Sequence, residues 1–203
     1  MKKIMIFAMA ALMGANACAQ AQQSIALPEP QKSGGTSLME AIALRQSARS
    51  YDSKDISDQH LSNILWAAYG FNRPDKRTVP SANNKQAFEV YVSLKKGLYL
   101  YNAANNTLEL KLAKDLRESS GRQDFVKTAP VNLIYVYDTS KQANENMAYA
   151  DCGFISQNVY LVCAAEGLAT VVRAFIGSTL HQDMELPAGK KIVMAQTIGY
   201  PGK

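Results

Sequence analysis

Apolar positions along the chain recur first at helical and then at strand spacing. In "SLMEAIALRQS", Leu38, Ile42 and the Ala41/Leu44 pair form one stripe, while Ser37 and Glu40 stand at capping-box spacing, which predicts a helix. "SDQHLSNILWAAYG" predicts a second helix, capped by Ser57 and stopped by Gly70. "AFEVYVSLKKG" and "LYLYNAANNTLELKL" alternate with period two, the second folding back at Asn105-Asn106 as a hairpin. Lys114 to Gly121 predicts a short helix, and the apolar run "VNLIYVYD" a central strand. From about Asn144 to Glu166 apolar residues lie almost all round, the pattern of a buried helix, closed by Gly167. "LATVVRAFI" is a strand, "STLHQDMEL" a short helix capped by Ser178, and "KIVMAQTIGYPG" a closing strand. Helices precede and interrupt the strands without regular βα alternation, so the expected class is α+β, a sheet flanked by helices.

The opening "MKKIMIFAMAALMGANACAQAQQ" has a different pattern. Lys2 and Lys3 precede an apolar run, Ile4 to Met13, too short to span a bilayer, and small residues at cleavage spacing follow. Residues 1–21 are therefore expected to be a secretory signal peptide, and the protein to be exported, most simply to a bacterial periplasm. Cys18 leaves open a lipoprotein, and with it a membrane attachment, although Ala15-Asn16-Ala17 lacks the bulky aliphatic usual before such a site. Residues 22–36, with Pro28, Pro30 and Gly34-Gly35, are expected to be a flexible leader, and 37–203 one domain.

Removing Lys2 and Lys3 lowers the formal charge from +5 to +3, and no run of five basic residues exists, which argues against nucleic acid. Cys152 and Cys163 lie roughly 16 Å apart along one helix, beyond disulfide reach, and are expected to be buried apolar residues. With His60 and His181 as the only histidines, a histidine-rich metal site is not expected.

Candidate chemistry begins at "RQSARSY". Arg45 and Arg49, four apart, would share a helix face, and two like charges there weaken a helix unless an anion lies between them. A phosphate dianion would satisfy Arg45 together with Lys203, since guanidinium suits it. "RTVPSANNKQ", Arg77 to Gln86, is rich in small amide and hydroxyl groups able to bond hydroxyls and heteroaromatic edges. Taken singly, the arginine pair is also what a solvated helix end looks like, and Ser-Ala-Asn-Asn what a turn looks like.

Four motifs in order resemble the nitroreductase family over roughly Leu38 to Lys203, and most closely its compact branch that includes the SagB-type dehydrogenases. They are Arg45-Gln46-Ser47-Ala48-Arg49, the Arg77–Ala82 loop, the helix pattern Gly153, Gln157, Asn158, Tyr160, Leu161, Gly167, Leu168, and Gly199 to Pro201. The resemblance implies the nitroreductase fold, with a mainly antiparallel sheet flanked by helices and FMN at a homodimer interface. It implies that Arg45 binds the FMN phosphate, with Gln46 and Ser47 near the phosphate and ribityl chain and Lys203 helping to neutralise it. Arg49 would reach the N1/O2 edge of the ring, where a fixed cation stabilises the charge of reduced flavin. Pro80, Ser81, Ala82, Asn84 and, more loosely, Gln86 would reach the flavin of the partner subunit. Backbone from Val171 and Val172 through Arg173 to Ala174 would cover the ring near N5. Arg173 stands where many members are Gly-rich or acidic, so its side chain either shapes substrate preference or points to solvent. No protein acid or base is implied, because the flavin carries the electrons. The implied activity is alternating reduction by a small-molecule donor and oxidation by a small planar acceptor such as a nitroaromatic or quinone. The alternative is an exported flavin-binding protein with little turnover.

Overall fold

The N-caps predicted at Ser37 and Ser57 form. Ser37 Oγ accepts from the Glu40 backbone N–H while the Glu40 carboxylate accepts from the Ser37 N–H, and Ser57 Oγ accepts from the His60 N–H. The computed structural model describes residues 24–174 and 176–203, so the expected signal peptide lies outside the described residues. The elements are strand β1 (Ser24–Ala26), helices α1 (Leu38–Leu44) and α2 (Asp58–Tyr69), and a ribbon of β2 (Phe71–Arg73) and β3 (Lys76–Arg77). Next come β4 (Phe88–Leu94), β5 (Gly97–Asn102), β6 (Thr107–Leu112), the short helix α3 (Phe125–Thr128) and β7 (Val131–Asp138). Helix α4 (Glu145–Ala165), β8 (Ala169–Arg173), α5 (Leu180–Asp183) and β9 (Lys190–Gly199) complete the chain.

Seven strands form one sheet in the order β1-β6-β5-β4-β7-β9-β8, every neighbour antiparallel. Central β7 divides its side chains by the strand period. Val131, Leu133, Tyr135 and Tyr137 enter the larger core under α2 and α4, and Ile134 and Val136 a smaller one with Leu116, Leu180 and Met184 on the opposite face. Gln196 of β9 crosses the larger core, accepting from Tyr135 Oη at 2.6 Å and donating to Thr170 Oγ1 at 3.1 Å.

Several expectations change here. Within the expected flexible leader, the first part is packed: β1 pairs with β6, Leu27 is buried, and the Pro28 carbonyl accepts from Ser62 and Asn106, while residues 31–35 are exposed. The α1 stripe faces outward. Only Ala41 is buried, while Leu38 and Met39 are 63% and 72% exposed. Helix α4 packs on α1, α2, β8 and β9, yet Met147, Tyr149 and Phe154 remain exposed, so its all-round apolar pattern marks a buried helix with one uncovered flank. In place of a helix over 114–121 there is a single 3-10 turn, Glu118–Ser120, and α5 is preceded by Thr179 with no side-chain cap from Ser178. As expected, Cys152 and Cys163 are buried free thiols.

Candidate functional site

Helix α1 ends at Leu44. Arg45 has φ −58° and ψ 121°, which takes the chain out of the helix, so Arg45 and Arg49 do not share a helix face as expected. The segment instead runs along the outer edge of β8, where the Ala48 N–H donates to the Thr170 carbonyl at 3.0 Å. A phenol fastens it. Tyr160 Oη of α4 lies 2.8 Å from Ser47 Oγ and accepts from the Val172 N–H at 3.0 Å, and the Arg45 guanidinium sits 5.4 Å over the Tyr160 ring.

The C-terminal tail returns to the same place. Tyr51 pairs with Pro201, the Asp52 N–H donates to the Tyr200 carbonyl and the Gly202 N–H to the Ser50 carbonyl, bringing Lys203 to the Arg49–Ser50 stretch. Among the described residues neither Arg45, Arg49 nor Lys203 meets a carboxylate within 4.0 Å. Beside the segment lies a cavity of about 270 Å³, lined by Leu44, Gln46, Ala48, Tyr160, Thr170 and Pro201 among others, with no charged side chain in its wall.

The loop after β3 is held from two sides. Asp151 of α4, 3% exposed, takes the Ala82 N–H with both carboxylate oxygens (3.1 and 3.3 Å), and burial pushes its carboxyl above the ordinary value. On the other side Arg77 is stacked between Tyr69 and Phe71, 4.4 and 3.9 Å from the ring centres. Within the loop Asn83, Asn84 and Gln86 all have left-handed φ (51°, 54° and 45°), a concentration of strain in non-glycine residues. Pro80 and Asn84 are exposed, and Ser81 and Ala82 half-buried. Gln86 departs from expectation: its Oε1 accepts from Arg77 Nε and its Nε2 donates to the Asp75 carbonyl and Asn84 Oδ1, so the amide is used inside the loop.

One chain does not bring its two groups of expected site residues together. The loop joins α4 at Asp151 and the Arg45–Arg49 segment joins it at Tyr160, nine residues further, which is roughly 14 Å along the axis.

Arg173 reaches neither solvent nor the outer edge of β8. Its side chain is 5% exposed and donates from Nε to Thr197 Oγ1, from Nη1 to the Ser120 carbonyl and from Nη2 to Asn132 Oδ1, at 3.0, 2.7 and 3.0 Å. No carboxylate accompanies this buried guanidinium among the described residues, and burial lowers its pKa to about 10. Val171 is buried and the Val172 N–H belongs to Tyr160, so Val172 can offer a ligand shape but not that donor. Sequence reasoning assigned no role to Tyr160, Asp151 or Arg77. Tyr160 and Arg77 stood within the quoted motifs, whereas nothing in sequence marked Asp151.

Comparison with known proteins gives a consistent result. The model described as the nitroreductase family matches residues 42–200. A protein of Methanocaldococcus jannaschii that carries the nitroreductase name is 30% identical over 183 residues, covering 76% of this chain and 91% of its own. A crystal structure from Ralstonia eutropha, also given the nitroreductase name, is 37% identical with a TM-score of 0.84, covering 91% of this chain and 92% of its own. Another, from Desulfovibrio desulfuricans, described as a complex with FMN, shares the fold at 22% identity and TM-score 0.64, covering 84% of this chain and 89% of its own.

Proposed function

The chain belongs to the nitroreductase family, and from that premise we propose that it is a homodimeric FMN-dependent oxidoreductase serving a small planar acceptor such as a nitroaromatic or quinone. The observation that carries this reading is the convergence of Arg45, Arg49 and Lys203 on one stretch, with no Asp or Glu side chain paired to any of the three among the described residues. Uncompensated cations on neighbouring backbone are unfavourable unless an anion joins them, and a phosphate supplies two charges. The donor set fits FMN: cations and the Ser47 hydroxyl for the phosphate and chain, and a neutral loop of amides and hydroxyls for the ring edge.

Arg45 and Lys203 would hold the FMN phosphate, and Arg49 would stabilise the negative charge that reduced flavin carries. Tyr160 keeps Ser47 and the β8 edge in register. Bound FMN supplies two-electron redox chemistry, so the chain itself needs no nucleophile. Donor and acceptor would react in turn, which predicts ping-pong kinetics. A second copy completes the site. The exposed apolar residues Leu38, Met39, Ile42 and Leu44 of α1 and Met147, Tyr149 and Phe154 of α4 form the surface for it, and its 80–86 loop supplies what this chain holds some 14 Å away along α4. We also propose export by the N-terminal segment. An enzyme placed there is cut off from cytosolic nicotinamide nucleotides, which favours a quinol or an envelope redox protein as donor.

FMN titration of the purified protein tests the reading. Arg45→Ala weakens binding by roughly 1.5–3 kcal/mol, the worth of a charge-assisted contact, whereas Arg49→Ala retains FMN at a more negative midpoint potential. Negligible effects from both reduce the stretch to a solvated surface segment. Repeated bleaching and recolouring with an acceptor separates an enzyme from a flavin carrier, and rapid bleaching by NADPH in stopped flow refutes the proposed donor class.

A further inference from the structure

Each hydrogen bond has a direction, and Arg77 has donors only. Its Nη1 donates to the Tyr69 carbonyl at 2.9 Å and its Nε to Gln86 at 3.0 Å, so the Gln86 atom facing it is the carbonyl Oε1. That choice turns the Gln86 NH₂ the other way. Its two protons go to the Asp75 carbonyl at 2.7 Å and to Asn84 at 3.1 Å, so the Asn84 atom facing inward is Oδ1. Asn84 is exposed, and its own NH₂ is thereby turned outward. The Gln86 backbone N–H donates to Ser81 Oγ at 3.1 Å, which leaves the Ser81 proton available as well, while Asp151 takes the Ala82 N–H.

We infer that Arg77 is a positioning residue that sets the hydrogen-bond polarity of the 80–86 loop, so that Asn84 and Ser81 present donors and the loop accepts only an acceptor edge, a carbonyl oxygen or unprotonated ring nitrogen, of the bound flavin. This rests on the FMN reading above. Close contact with the Tyr69 and Phe71 rings helps hold the guanidinium, and the left-handed backbone at Asn83, Asn84 and Gln86 aims the side chains. A neutral relay of this kind fixes donor and acceptor without placing a charge near the ring.

Four variants test the relay, read by FMN dissociation constant, bound-flavin absorption spectrum and midpoint potential, with circular dichroism to confirm folding. Gln86→Glu keeps the Arg77 contact but cannot donate, so Asn84 must turn its NH₂ inward and expose its oxygen. Asn84→Asp does the same without touching Arg77. Both are expected to weaken FMN binding about tenfold, since a donor opposite an acceptor becomes two facing acceptors. Both also shift the flavin absorption bands and make the potential more negative. Arg77→Met frees Gln86 to turn over and weakens binding roughly threefold, and Arg77→Lys, which still offers donors only, recovers part of the loss. Wild-type spectra and affinities in folded Gln86→Glu and Asn84→Asp overturn the relay while leaving the FMN reading standing. A wild-type protein that takes up no FMN overturns both.

Discussion

Tyr160→Phe removes one oxygen from the busiest atom of the site. Tyr160 is 7% exposed, and its hydroxyl accepts from the Val172 N–H at 3.0 Å and pairs with Ser47 Oγ at 2.8 Å. The ring stays, so the stack under Arg45 at 5.4 Å is retained and only the hydroxyl is tested. Ser47 is exposed and regains water at almost no cost, whereas the Val172 amide is left without its acceptor. An orphaned backbone donor costs roughly 1–3 kcal/mol, and partial exposure of Val172 puts this case near the lower end, at about 1–2 kcal/mol. For a domain of this size that lowers Tm by about 2–8 °C. Loss of register between Ser47 and β8 should also weaken FMN binding roughly threefold to tenfold. Differential scanning calorimetry of the apoprotein and a fluorescence titration with FMN measure the two effects. An apoprotein melting within about 1 °C of wild type, together with unchanged FMN affinity, refutes the assignment of Tyr160 as the fastener.

Arg173→Met sets desolvation relief against lost hydrogen bonds. Because the Ser120 carbonyl loses its side-chain donor while Thr197 and Asn132 still have each other, a net destabilisation of about 1–3 kcal/mol is expected in urea titration, and a variant as stable as wild type contradicts it. Asp138, hydrogen-bonded by Ser140 and paired with Lys190, has its carboxyl pulled down to about 2. Its contribution is therefore present above the ordinary value of 3.8 and fades as pH falls from about 4 to about 2. Asp138→Asn should flatten stability across that window by no more than about 1 kcal/mol, given the pair's partial exposure, and an unaltered pH profile counts against the pair. Burial pushes the Cys152 and Cys163 thiols well above their usual range. Iodoacetamide at neutral pH should leave both unmodified until denaturant is added, as peptide mass mapping would record, and labelling of either in the folded protein refutes their burial.

Signals that act within a few residues were legible in the sequence. Ser37 with Glu40, Ser57, the fold-back at Asn105-Asn106 and the apolar run of β7 are fixed by local bonds and by side-chain period. Signals that depend on distant partners were not. Three residues of β1 are too few to show a period, and their strand exists because β6, far along the chain, offers an edge that sets Ser24 opposite Glu109. The α1 stripe is a true amphipathic pattern, but pattern alone does not tell a core from a partner's surface. The burial of Arg173 was not legible because its three acceptors come from Ser120, Asn132 and Thr197, nor were the contacts of Gln86, whose polarity is dictated by Arg77. Motif order pointed to the candidate site, while the hydrogen-bond directions within it required coordinates.

The sheet's two rims are guarded unequally. At one, three-residue β1 is too short to recruit a foreign strand; at the other, Ala48 and Tyr160 occupy groups that β8 would otherwise hold out to any passing chain. The same backbone proposed to receive the nucleotide thus also shields the molecule from strand-by-strand association, and colloidal behaviour and ligand occupancy would become linked properties of one short stretch.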